Sequence, residues 1–164
     1  MIEIYTDGSS RGNPGPGGYG IVMIYKDKRK ELFQGYKLTT NNRMELLAVI
    51  RALEEVKTNK HKIKIYSDSK YVVESVEKGW IWNWQKKSFK NKQNVDLWKM
   101  FIPLYKKYDV KLIWVKGHDG NTENERCDFL ANSCQEDVLI DDFCLLFTSP
   151  SPRDGCSSRM PSSA

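Results

Sequence analysis

The sequence has no apolar run approaching the roughly 20 residues needed to cross a bilayer, which excludes a membrane-spanning helix. No export signal is expected, because IEIYTDG opens at once as a strand-like segment with no basic region, apolar stretch or small-residue cleavage site. A soluble, cytoplasmic protein that meets no membrane is therefore expected, and a monomer is the expected state. Cysteine is scarce: Cys127, Cys134, Cys144 and Cys156 all fall late in the chain, without the paired spacing of a zinc site, so reduced thiols are expected. Acid is almost missing from one stretch, since between Lys78 and Lys107 eight lysines stand against the single Asp96. Such an excess is a footprint for a polyanion. The interleaved Trp80, Trp82, Trp84, Phe89 and Trp98 suit sugar and base contacts better than a plain solvated face, although at least two of those tryptophans are expected in the core.

What is present fits one ordinary domain. A chain of 164 residues, 40% hydrophobic and 29% charged, is long enough to bury a single core and too apolar to remain disordered. Alternating or apolar runs at 2–7, 19–26 and 31–38 predict three strands in an antiparallel meander, the first two joined by the turn GSSRGNPGPGG. Residues 42–57 predict a helix with a broad apolar face and Asn41 or Asn42 as its N-cap. A strand at 62–67, a helix at 69–78 and a strand at 110–115 follow in the βαβ order that implies parallel pairing. The helix near 94–107 should be kinked or shortened by Pro103, and a last helix starts near Thr122, with Glu125 closing a capping box. The fold class is α/β, a mixed sheet covered by helices.

From Cys144 onward the composition turns abruptly to serine, proline and small residues. Residues 144–164 are expected to be a disordered or non-native tail, outside a domain of residues 1–143. Back-translated, CLLFTSPSPRD matches the end of a common transposase-type sequencing adapter within one base at Phe147, and SRMPSSA matches the stretch after its index. Translated adapter read-through is the preferred reading.

The most informative feature is an internal echo: IEIYTDGS at 2–9 and IKIYSDSK at 63–70 each place an aspartate where a strand ends. Side chains alternate along a strand, so Asp7 shares a face with Tyr5 and Asp68 shares the equivalent face with Tyr66. If the two strands are parallel neighbours, the carboxylates stand roughly 5 Å apart at the carboxyl edge, where such sheets bind ligands. Their repulsion must be relieved by a shared proton or a cation, and hard oxygen donors favour Mg²⁺ or Mn²⁺. Taken singly, each acid has a plainer role: Asp68 as a helix cap, Asp7 as the start of a turn, Glu45 as a capping-box acid after Asn42, and Asp128 as a solvent-facing helix residue.

YTDGSSRGNPGPGGYG, TTNNRMEL, SDSKYV, WIWNW, NVDLW and WVKGHDGNTENERCD stand in the order and at about the spacings found in bacterial ribonuclease H of type one, which residues 1–143 resemble. The resemblance implies a five-stranded mixed sheet, three strands antiparallel and then two parallel, flanked by helices. It implies an endonuclease that hydrolyses the RNA strand of RNA–DNA hybrids, leaving 5′-phosphate and 3′-hydroxyl ends. Asp7, Glu45, Asp68 and Asp128 would be the catalytic, metal-binding carboxylates, with two Mg²⁺ ions per site and Mn²⁺ able to substitute. Asp7 is expected to bridge both ions, Glu45 and Asp68 to hold the leaving-group side, and Asp128 the water side. His118, in the loop GHDG, would activate water or help product leave. By the same resemblance Asn13, Asn41 and Asn42 would touch the RNA strand, and Thr40 and Asn94 would clamp a DNA phosphate. Tyr71 and Trp80 would pack on deoxyribose, and Lys86, Lys87, Lys90 and Lys92 would form a basic protrusion that grips the DNA strand. Hybrid is recognised by groove shape and 2′-hydroxyls, so little sequence preference is expected.

Three departures matter. The protrusion KKSFKNKQNVDLW looks shorter than in fuller bacterial versions, which predicts weaker hybrid affinity. Lys70 stands where glutamine is frequent, which bears on that RNA contact. No separate hybrid-binding domain is expected before the catalytic one, and processive action is not expected. Two rivals are a catalytically silent hybrid-binding module and a resolvase or transposase core. The first has no need of a costly cluster of like charges, and the second would not be expected to carry the asparagine, tryptophan and lysine set.

Overall fold

The computed structural model describes residues 1–117, 120–133 and 139–142. Cys134, the tail 144–164 and His118 lie outside the described residues. Strands β1 (Ile2–Ser10), β2 (Gly15–Tyr25) and β3 (Lys28–Thr39) form the expected antiparallel meander. Helix α1 (Asn41–Glu55) leads to β4 (Lys62–Ser67), then to α2 (Lys70–Glu77), α3 (Trp80–Lys86), α4 (Val95–Lys107), β5 (Asp109–Trp114) and α5 (Thr122–Ser133). A two-residue strand, β6 (Leu139–Ile140), pairs in parallel with β3, giving the order β5-β4-β1-β2-β3-β6. Among the described residues the sheet therefore has six strands, not five; two residues are too few to leave a periodic signal.

The two faces of β1 explain the layering. Ile2 and Ile4 belong to the main core with α1, α2 and α4, whereas Tyr5 packs on the smaller cluster of Val22, Cys127 and Leu130 beneath α5. Helix α4 runs unshortened through Pro103. Leu97, Trp98, Phe101 and Ile102 are buried on that helix, at ~1.5–3 kcal/mol each, enough to offset the ~3 kcal/mol cost of an interior proline. Trp98 is fully buried, Trp82 and Trp84 pack against the core, and Trp80 is exposed. The helix α3 was not anticipated, because its aromatics are spread round the helix instead of forming one apolar stripe.

Helix N-caps fall one residue or more from their expected places. Thr40, not Asn41 or Asn42, caps α1 by accepting from the Arg43 N–H at 3.3 Å. Ser69 caps α2 by accepting from the Val72 N–H at 3.2 Å. Asn121 caps α5, its Oδ1 accepting from the N–H groups of Glu123 and Asn124 at 3.1 Å each, so no capping box from Thr122 to Glu125 is needed. Among the described residues, no helix is long and apolar enough to cross a membrane.

Candidate active site

Strands β1 and β4 are parallel neighbours in the register Ile2↔Ile63 through Tyr5↔Tyr66. The repeated motif therefore lies in phase with itself. Tyr5 and Tyr66 stack at 4.7 Å between ring centroids, and two residues further on the same face come Asp7 and Asp68. From α1, Glu45 completes a group in which one carboxylate oxygen per residue lies within 4.8 Å of the others. Asp128, on α5, is close enough to Asp7 to push its carboxyl up and so stands beside this group.

The plainer roles of these acids do not match the structure. Asp7 sits inside β1 and starts no turn; Asp68 leaves capping to Ser69; Glu45 lies beyond the capped first turn of α1. Asp128 is half-buried instead of facing solvent. Its Oδ1 accepts from Asn132 Nδ2 at 3.1 Å, and Ser9 Oγ donates to Asn132 Oδ1 at 3.3 Å, which ties α5 to the end of β1. Sequence reasoning missed Ser9 and Asn132, although the four-residue spacing of Asp128 and Asn132 is a helix-neighbour signal.

Two close approaches bring the helices to the acids. A side-chain carbon at Gly8 would lie 2.3 Å from the Met44 carbonyl carbon and 2.4 Å from the Glu45 nitrogen. One at Gly20, which pairs with Asp7 across β1 and β2, would lie 2.3 Å from the Cys127 carbonyl oxygen. Only glycine lets backbone meet backbone here. Gly20→Ala should therefore push α5 outward, destabilising the chain by ~1–3 kcal/mol and lowering activity by roughly 10²-fold through displacement of Asp128. Thermal melts and initial rates on the same preparation check both effects.

Burial and mutual repulsion shape the electrostatics. Asp7 is only 7% exposed and accepts one backbone hydrogen bond, from the Gly8 N–H at 2.9 Å. Burial, then the charge of Asp68 and the contact with Asp128, push its carboxyl up to about 8. Glu45 is raised well above the usual carboxylate range by burial and by the charges of Asp7 and Asp68. Glu45 Oε1 and Asp68 Oδ1 are buried with no hydrogen-bond partner among the described residues. Unpartnered hard oxygens in a ring of like charge fit a hard, oxygen-seeking cation.

Around the acids, Asn13, Asn41 and Asn42 are exposed at the turn before β2 and the start of α1, where Asn13 Oδ1 accepts from the Asn41 N–H at 3.2 Å. Thr40, Tyr71 and Asn94 are half-buried together, with Asn94 Nδ2 donating to Tyr71 Oη at 3.2 Å. Lys86, Lys87, Lys90 and Lys92 are exposed on α3 and the following turn, and Lys92 lies over the Trp84 ring at 4.9 Å. Phe89, buried, anchors that turn. Lys70 lies over the ring of the exposed Trp114 at 5.1 Å, beside Asp68, whose carbonyl accepts from Trp114 Nε1. Gly117 also backs onto Asp68, with its neighbour His118 outside the described residues.

The family model for RNase H matches residues 1–136. The chain belongs to the ribonuclease H family. It is 54% identical over 135 residues to a ribonuclease H of Trichodesmium erythraeum, covering 79% of this chain and 85% of that one. It is 52% identical over 130 residues to ribonuclease HI of Helicobacter pylori strain 26695, covering 79% and 90% respectively. Among solved structures it resembles the LC11 ribonuclease H1, crystallised in complex with an RNA/DNA hybrid, at a TM-score of 0.65 and 25% identity over 83% of this chain and 97% of that one. The likeness to ribonuclease H thus covers both the sheet and the acid-bearing helices.

Proposed function

We propose that the chain cuts the RNA strand of RNA–DNA hybrids at the Asp7, Glu45 and Asp68 cluster, with Asp128 beside it, leaving 5′-phosphate and 3′-hydroxyl ends. The observation that carries this reading is the buried carboxylate group itself, with oxygens within 4.8 Å of one another, in a chain 54% identical to a ribonuclease H. Such a cluster costs stability and is best explained by the cation it is built to hold. Two Mg²⁺ ions, replaceable by Mn²⁺, would be held by Asp7, Glu45, Asp68 and Asp128, and when bound they supply the positive charge that activates water and offsets the charge built up on the phosphate. Asp7 carries the central role, since it faces Asp68, Glu45 and Asp128 at once.

The chain's own residues bind and orient the hybrid. Asn13, Asn41 and Asn42, exposed at the turn before β2 and the start of α1, would meet the RNA strand; Thr40 and Asn94 would clamp a DNA phosphate. Tyr71 and Trp80 would pack on deoxyribose, with Lys86, Lys87, Lys90 and Lys92 gripping the DNA backbone beyond. His118 would serve as a proton carrier that activates water or helps product leave. The unit that acts is residues 1–143, a cytoplasmic monomer, with the tail 144–164 contributing nothing to it. Labelled hybrid, duplex RNA and duplex DNA incubated with Mg²⁺ or EDTA test the reading: cleavage should be confined to hybrid and lost with EDTA. Cutting of duplex DNA, or hybrid binding without cutting, would assign the chain to one of its rivals.

A further inference from the structure

The two residues proposed to clamp a DNA phosphate share one neighbour, the buried Arg43. Its backbone N–H donates to Thr40 Oγ1 at 3.3 Å, and its Nη1 donates to Asn94 Oδ1 at 3.4 Å. The rest of the guanidinium is fixed by carboxylates: Nη1 and Nη2 on Asp96 at 3.0 and 2.8 Å, Nε and Nη2 on Asp142 at 2.7 and 3.0 Å. Asp142 is itself held by Thr39 Oγ1 at 2.9 Å. Resting on the functional reading above, we propose that Arg43 is a positioning residue for the DNA strand, presenting both Thr40 and Asn94 as hydrogen-bond donors to a phosphate.

A guanidinium carries donors only, so the Asn94 atom that meets it must be the carbonyl oxygen. That choice fixes the amide and turns Nδ2 the other way, where one N–H reaches Tyr71 Oη and the second is left for an anion. Tyr71 Oη also accepts from Trp98 Nε1 at 2.9 Å, so the ring that meets Asn94 is fixed in turn. Thr40 Oγ1 is engaged as an acceptor by its capping bond, which leaves its O–H to be given away. A phosphate diester oxygen accepts and never donates, so both groups end in the polarity it requires. Asn94 has a left-handed backbone, at φ 58°, a conformation asparagine tolerates well, and its side chain depends on this network for its direction.

The network also draws in chain beyond the residues 1–136 matched by the family model, because β6 pairs with β3 and delivers Asp142 to Arg43. Two variants of the full chain test the role. Arg43→Lys keeps a positive charge between Asp96 and Asp142 but has no Nη1 to meet Asn94, and Asp142→Asn loosens the fork while Asp96 still pairs with it. Each should raise KM for hybrid about tenfold, the worth of one hydrogen bond to a charged group, while kcat falls less than threefold. In an Asp7→Asn background, where hybrid can be bound without being cut, the dissociation constant should rise about tenfold with its salt dependence unchanged, because Thr40 and Asn94 are neutral donors that release no counterions. Val56→Ala, at the far end of α1, serves as a comparison for lost stability alone and should move neither quantity. Values of KM within twofold of wild type in both folded variants would overturn the inference. A wild-type chain that leaves hybrid uncut would overturn the functional reading and this inference together.

Discussion

Asp7→Asn should lower turnover of hybrid by at least about 10³-fold, while the chain still folds and binds hybrid as well as wild type or better. The amide matches the carboxylate in shape and can still accept from the Gly8 N–H, so β1 has no reason to move. What it removes is the negative charge at the point where Asp68, Glu45 and Asp128 converge. A group that must hold cations loses them when its central charge goes. Binding is preserved because the proposed contacts to the hybrid lie elsewhere, on Asn13, Thr40, Asn94 and the lysines of the protrusion, and because removing an anion beside a polyanion lowers repulsion. Single-turnover cleavage and equilibrium binding, measured on the same labelled hybrid, separate the two effects. Cleavage by Asp7→Asn within tenfold of wild type would mean that the acids are not the catalytic group.

How much of this could be read from the sequence depended on the period of the signal. The echo of IEIYTDGS in IKIYSDSK was legible because strands alternate with period two and parallel neighbours align like positions, and the register Tyr5↔Tyr66 carries that alignment to Asp7 and Asp68. Caps were not legible. In TTNN, SDSK and GNTE several side chains compete for one set of N–H groups, and only the path of the chain selects Thr40, Ser69 and Asn121. Two of those choices bear on chemistry: with Ser69 as cap, Asp68 has an oxygen to spare, and with Thr40 as cap, Glu45 falls outside the first turn. The roles of Gly8 and Gly20 were not legible, because a close approach between backbones leaves no local pattern. Arg43 was hidden for the opposite reason. Its partners Asp96 and Asp142 are 53 and 99 residues away, and no periodicity links them.

Without divalent cations, the folded protein should lose stability as pH rises from about 4 to about 8, and Mg²⁺ should restore it at the upper end. Asp7 is pushed from 3.8 to about 8 by burial and by its acidic neighbours, so the folded chain holds a proton that the unfolded chain releases near pH 4. Between those values the folded state binds more protons than the unfolded one, and stability falls as pH rises. The protonated site is fully tolerated below pH 4; by pH 8 the cost of ionising a crowded, buried carboxyl has been met, on the order of 2–5 kcal/mol. For a domain of this size that loss lowers the melting temperature by on the order of 10 °C. A cation reverses the sign locally, because it binds the ionised cluster and not the unfolded chain, so added Mg²⁺ should raise the melting temperature more at pH 8 than at pH 5. Asp7→Asn carries no titrating group at the centre of the cluster, so it should flatten the slope and, in EDTA at pH 8, melt above wild type. Melting curves in EDTA and in Mg²⁺ at several pH values check the prediction. A wild-type curve that rose steadily from pH 4 to pH 8 in EDTA would show that the carboxylates are not forced together.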